Sequence, residues 1–303
     1  MANFQSTAVK AYGYLMTFCC AVIMGTEAVL AQLCYAGGFS VITILAVRYV
    51  MAAAIFVAVA RIKKLDFTIP KAERKIVLLL GMMTVFGITV LFLAFALLPA
   101  ALAILFLYAY PSLTALVAKL FFHQKLNKIS IIALAFSAIG LVMLYWTSAA
   151  GLSVLGVVLA LLAALNQSFK LNILEKHLPN LNLIVYNSII MLIAAAVFLA
   201  AAPFSKSFSL AVEPKAWLYA ALLGVGVTVI SNFFMTVGVN IIGAVEAGII
   251  FLAEPPTTAL LAFLLFGDQL TLGQMAGGIL ILLAAGLPSC YSLIMAKKHS
   301  AAP

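Results

Sequence analysis

Ala244–Thr258, AVEAGIIFLAEPPTT, decides how this chain is read. It sets a carboxylate, Glu254, and a double proline, Pro255-Pro256, in a mainly apolar run from Ile241 to Phe266. A run of that length matches a bilayer, whose hydrocarbon core is about 30 Å thick and takes about 20 helical residues to cross. Proline has no N–H, so the carbonyls of Phe251 and Leu252 lose their usual helical donors. Glu254 and Pro255 each precede a proline, which pushes both away from helical dihedrals. Hydrocarbon cannot satisfy freed backbone groups, so such a break survives only inside protein or beside a wet cavity. A carboxylate at the same depth points the same way. Discontinuous helices with polar groups near mid-membrane are one device by which carriers build binding sites.

Composition agrees. Of 303 residues, 66% are hydrophobic and 8% charged, too few charges for a soluble surface, which needs roughly a quarter. The expected class is an all-α polytopic membrane protein. The formal charge of +9 is spread between apolar runs, so it reads as topology rather than as a phosphate-binding footprint, and no nucleic-acid partner is expected. Cys19, Cys20, Cys34 and Cys290 show no metal-ligand spacing and read as free thiols, with Cys19 and Cys20 as small membrane-facing side chains. The apolar stretch after Lys10 is too long for a secretory signal and carries Glu27, so it reads as the first membrane helix.

Ten spans can be drawn, at 11–33, 39–60, 75–97, 99–120, 129–147, 152–171, 182–202, 215–237, 241–266 and 272–295. The run from Ile76 to Phe122 is cut at Pro99, and that from Ala216 to Phe266 around Gly238-Val239-Asn240. With a cytoplasmic N-terminus, fourteen of the seventeen basic residues fall inside, Lys206 and Lys215 fall outside, and Arg48 lies within a span. The positive-inside rule therefore places both termini in the cytoplasm of a multi-pass cell (inner) membrane protein.

The chain also repeats itself. A gapless shift of 144 residues aligns Ala109–Leu126, AYPSLTALVAKLFFHQKL, with Ala253–Leu270, AEPPTTALLAFLLFGDQL, at nine identical positions of eighteen. Pro111 meets Pro255 and Thr114 meets Thr258. The fourth span thus recurs as the ninth, dividing the chain into halves 1–150 and 151–303 of five helices each. An odd number of spans per half inverts the second half.

The Pro-Leu/Thr-Thr-Ala-Leu run, its Gly267-Asp268-Gln269-Leu270 ending, Arg48-Tyr49 and the five-plus-five repeat resemble the EamA-type transporters of the drug/metabolite transporter superfamily. The sequence departs from that pattern at Met24-Gly25, where an aromatic often precedes the small residue, and at His123-Gln124, where Gly-Glu is usual. The resemblance implies solute transport, frequently export of amino acids or other metabolites. It also implies a cavity between the halves, with the fifth and tenth spans as peripheral scaffold.

Ionisable groups inside a membrane cost about 2.5–3.5 kcal/mol each at the centre, so each needs a reason. Arg48 and Glu254 lie near mid-span and read as a structural ion pair or as groups facing a solute. Glu27, in the outer half of the first span, is a candidate for proton coupling. Glu246 opens the ninth span, where it complements the helix dipole or lines a vestibule. Lys170 reads as the end of the sixth span. There it snorkels to the interface or, with Asn166 and Gln167, lines a cavity. Asn232 with Ser231, and Tyr108 with Tyr110, offer hydrogen bonds and aromatic surface near Pro111, which frees the carbonyl of Leu107. Gly224-Val225-Gly226 and Gly273 through Gly277 read as close helix packing.

Other chemistries find no residues. There is no Walker-type loop, the aspartates Asp66 and Asp268 are in loops, and His123, His177 and His299 lie at or beyond span ends. No enzyme, cofactor or metal is expected. The leading expectation is a secondary transporter of a small-molecule solute in a lipid bilayer, working by alternating access and exporting amino acids or related metabolites, with protons as a candidate coupling ion. A metabolite importer or exchanger is the alternative, as is a non-transporting interaction protein whose buried charges only hold helices together. Oligomeric state stays open.

Overall fold

The computed structural model describes residues 2–98, 100–145, 153–205, 207–266 and 271–301, and among these every regular element is helical. The first rod is α1 (Ala2–Met24) followed by α2 (Glu27–Ala36), and the next two are α3 (Val41–Ile62) and α4 (Arg74–Leu97). The fourth is α5 (Ala100–Leu107) with α6 (Tyr110–Phe121), and the fifth is α7 (Lys128–Tyr145). Then come α8 (Val154–His177) and α9 (Leu183–Ala201). The next rod runs through α10 (Pro214–Leu222), a π-helical stretch (Leu223–Ile230) and α11 (Ser231–Ile242). Last are α12 (Ala244–Phe251) with α13 (Glu254–Phe266), and α14 (Leu272–Ala301). Eight rods are long and apolar enough to cross a membrane, and Lys128–Met143 and Leu272–Pro288 are shorter apolar helices among the described residues.

Local chemistry sets the ends. Ser40 accepts from Thr43 N at 3.3 Å and starts α3; Asn182 accepts from Ile184 N and Val185 N and starts α9. Gly243 separates α11 from α12 at φ +84°, ψ 165°, a region open in practice only to glycine. The cut in that apolar run therefore falls at Gly243 and not at Gly238–Asn240. Gly238 instead lies within α11, where its bare Cα faces the Thr17 side chain. α8 also runs past residue 171 to His177. Its late polar residues read as a loop, but Asn172 is buried and donates to the carbonyls of Ser168 (2.9 Å) and Thr114 (3.1 Å). The divide at 150/151, Lys206 and Gly267–Leu270 lie outside the described residues.

Helices pack in exchange-related pairs. α4 lies along α8 and α1 along α11; α3 lies on α9, and α7 on α14. Small residues let the backbones approach, as expected where lipid supplies no hydrophobic drive between helices. A methyl group on Gly140 of α7 would sit 2.8 Å from the carbonyl of Gly277 in α14. Tyr49 of α3 stacks on Phe198 of α9 with ring centroids 5.4 Å apart. Cys20 faces this interior and not lipid: it is fully buried and its thiol reaches the carbonyl of Ser231 in α11 at 3.2 Å. Large apolar side chains such as Ile131, Phe136 and Ile139 of α7 and Ile279 and Leu283 of α14 point outward. Those two helices hold chiefly to each other, at the edge of the bundle.

Candidate functional site at the crossing of two broken helices

The double proline interrupts the ninth rod, at a point slightly upstream of the prolines. α12 ends at Phe251, and the N–H groups of Leu252 and Ala253 turn back to Ile249 (3.2 Å) and Ile250 (3.0 Å). Helix resumes at Glu254. Glu254 and Pro255, expected to leave helical geometry, instead open α13. The first turn of a helix needs no N–H donors, so prolines fit there. Glu254 thus stands in the first turn of α13, where the helix dipole favours a negative charge.

The first half breaks at the equivalent point. Tyr108 and Ala109 separate α5 from α6, as Leu252 and Ala253 separate α12 from α13, 144 residues on. Thr114 donates to the carbonyl of Tyr110 (2.7 Å), and its repeat mate Thr258 to that of Glu254 (3.2 Å). Tyr110 therefore holds the position that Glu254 holds in the second half. Its carbonyl also accepts from Ser168 of α8 at 3.0 Å.

A third break, at Gly25-Thr26 in the first rod, was not expected from the sequence, where 11–33 reads as one helix. It meets the break in the ninth rod. Thr258 donates to the carbonyl of Gly25 at 3.0 Å. A methyl at Gly25 would lie 2.8 Å from the Thr257 side chain and 3.1 Å from the carbonyl of Glu254. Only glycine permits that approach.

Around this crossing the Glu254 carboxyl hydrogen-bonds the side chain of Tyr108, with Glu27, Cys20 and Tyr110 as its electrostatic neighbours. Glu254 is half-buried at this crossing. Tyr108 and Tyr110 are buried, with rings 5.9 Å apart.

Glu27 is the first residue of α2, and its carboxylate takes Arg48. The Arg48 side chain is only 8% exposed against 28% for Glu27, and its Nε donates to Thr228 Oγ1 at 2.9 Å. Thr228 lies in the π-helical stretch and donates to the carbonyl of Leu223, five residues back, at 3.1 Å. So Arg48 pairs with Glu27 and not with Glu254. Gly224 packs on Met51, as the small-residue pattern implies, whereas Gly226 has nothing within 4 Å and belongs to the π geometry.

The remaining candidates separate. Glu246 lies in the first turn of α12 and accepts from the Tyr14 hydroxyl at 2.5 Å, binding α12 to α1. Asn232 turns back to the carbonyl of Thr228 at 2.8 Å. Asn166 donates to the carbonyl of Met83 in α4 at 2.9 Å. Lys170 is buried, two turns before the end of α8, and so does not snorkel. Two clusters went unread in the sequence. Glu73, before α4, takes His177 (2.7 Å) and Asn180 (3.1 Å). Glu175 accepts from Gln124 (3.2 Å) and from Ala244 N at the start of α12 (3.0 Å). Both join residues far apart in the chain, so only an offset of polar residues beyond the apolar runs could have hinted at them.

A profile of the EamA-like transporter family matches residues 11–146 and again 154–289. The chain belongs to this family. The EamA-like match falls on two tandem stretches, which accords with the internal repeat, and it makes this a multi-pass membrane protein of a transporter family. No curated protein matches the sequence. A solved crystal structure, named only as that of a protein, shares its fold with a TM-score of 0.81 at 20% identity, over 93% of this chain and 97% of the other.

Proposed function

We propose that this EamA-like protein is a secondary transporter of small metabolites working by alternating access. The observation that carries the reading is the crossing of the two broken helices at Gly25 and Glu254, with a half-buried carboxylate at the crossing. Breaks free backbone carbonyls and give a rigid rod a hinge, and both breaks lie beside ionisable groups. Ten spans in two inverted halves, 1–150 and 151–303, with both termini cytoplasmic in the inner membrane, complete the architecture. Alternating access then rocks one half against the other around the site.

Glu254, Tyr108 and Tyr110 form the solute-facing group in this reading. Glu27 and Arg48 shape the opening from the outer side, and Glu246 closes α12 onto α1. The substrates are amino acids or related solutes, moved outward, with Glu254 or Glu27 as the proton carrier. Counterflow in proteoliposomes with a labelled panel of amino acids and metabolites tests this, wild type beside Glu254→Gln. Flux of one solute class, lost in the variant at an unchanged melting temperature, is the expected result. Equal flux in both would remove Glu254 from the mechanism.

A further inference from the structure

We propose that Lys170 and Gln167 of α8 form a subsite for the carboxylate of the transported solute. This rests on the transport reading above and adds a site separate from Glu254.

Lys170 is 8% exposed. His177, where α8 ends, is seven residues on, about 10 Å along the helix axis, too far for the ammonium to reach the interface comfortably. Among the described residues nothing pairs with it. The other interior charges are engaged: Arg48 with Glu27, Glu73 with His177, Glu175 with Gln124 and Ala244 N, Glu246 with Tyr14, and Glu254 with Tyr108. A buried cation without a partner is costly, so its place in the bundle asks for an anion from outside the chain.

The ammonium is also not fully enclosed. Ser137 Oγ and Asn172 Oδ1 are the sealed side-chain polar atoms lacking a partner among the described residues, and Lys170 Nζ is not one of them. Lacking a hydrogen bond as well, it is not sealed off but keeps some accessible surface.

Gln167 is the second, independent observation. It stands across α8 from Val158, Leu162 and Leu165, which are exposed on the outer face. Its neighbours on the inner face, Ala163, Ala164, Leu171 and Leu174, are buried, yet Gln167 is only half-buried. An inward residue with that exposure faces an internal opening. Its amide has no hydrogen-bond partner among the described residues, while that of Asn166 is held by Met83. One turn apart, Gln167 and Lys170 present an amide donor and an ammonium to the same opening, a set that matches a carboxylate.

The test compares wild type, Lys170→Gln, Lys170→Arg and Gln167→Ala in vesicles of zwitterionic lipid. Labelled alanine, glutamate and pyruvate are set beside glucose and putrescine as probes without a carboxylate. The same probes are added to detergent-purified protein during thermal melts. The expected result is flux of a carboxylate-bearing probe that falls about tenfold or more in Lys170→Gln, less in Gln167→Ala, and recovers in part in Lys170→Arg. Undiminished carboxylate flux in Lys170→Gln, or flux confined to glucose or putrescine, overturns the subsite and leaves transport standing. Carboxylates that raise the melting temperature of wild type but not of Lys170→Gln, without flux of any probe, support the subsite and overturn transport. Neither flux nor a shift in wild type overturns both. Should Lys170→Gln not fold, Gln167→Ala decides in its place.

Discussion

Thr258 donates its hydroxyl to the carbonyl of Gly25 at 3.0 Å, and this bond ties the break in the first rod to the break in the ninth. Removing the donor in Thr258→Val leaves one carbonyl to other partners. Interhelical hydrogen bonds of this kind average about 0.6 kcal/mol, so a small loss of stability is expected. Gly25→Ala acts differently. Its methyl meets the Thr257 side chain and the Glu254 carbonyl, and overpacking of that kind costs about 1–3 kcal/mol. Thermal melts in detergent should therefore rank Gly25→Ala below Thr258→Val. The reverse order would mean that the crossing is loose.

Arg48 and Glu27 are a pair of unequal burial, 8% against 28% exposed. Removing one partner of a buried pair costs about 3–5 kcal/mol, and an apolar pair in its place is often near neutral. Arg48→Met strands the Glu27 carboxylate but leaves it partly solvated, so its cost should fall below that range. The double variant Arg48→Met with Glu27→Leu should recover much of the loss. A thermodynamic cycle over wild type, Arg48→Met, Glu27→Leu and the double variant checks this, and strictly additive losses would contradict the pairing.

Pro255 and Pro256 hold α12 and α13 apart by withholding two N–H groups. With Pro255→Ala and Pro256→Ala together, those groups become available to the carbonyls of Phe251 and Leu252. The two helices should then merge, with the melting temperature held or raised by a few degrees, as is common when a functional strain is relieved. Solute flux should fall in the same protein. Full flux with both alanines in place would separate the break from function.

Gly243 adopts φ +84°, ψ 165° and faces Glu175, whose Oε1 would lie 3.0 Å from an added Cβ. A side chain forced into that backbone region costs about 1–3 kcal/mol. Gly243→Ala should destabilise the protein within that range and loosen the bond from Ala244 N to Glu175. Glu175→Gln keeps the approach open and should cost less. Melts of the two variants side by side provide the check.

Much was settled before any helix was packed. Apolar run length against bilayer thickness gave the helical membrane class, and the repeat pairing Pro111 with Pro255 marked which two rods are interrupted, since a missing N–H acts on its own chain, although the interruptions fall just upstream, at Tyr108-Ala109 and Leu252-Ala253. The break in the ninth rod was legible for that reason. What was not legible depended on distant partners. Gly25 looked like any small residue until Glu254 and Thr258 came against it. Arg48 could have chosen Glu254, and only the position of α2 gave it Glu27. Lys170 read as the end of its span, snorkelling or lining a cavity, because Asn172 and Glu175 read as loop; partners for both on other helices come with α8 running on to His177. Covalent and local rules act within a turn or two and show in one dimension. Which charge meets which, and which stays unpaired, is decided by helices packing across more than a hundred residues of chain, and only the tertiary structure holds that information.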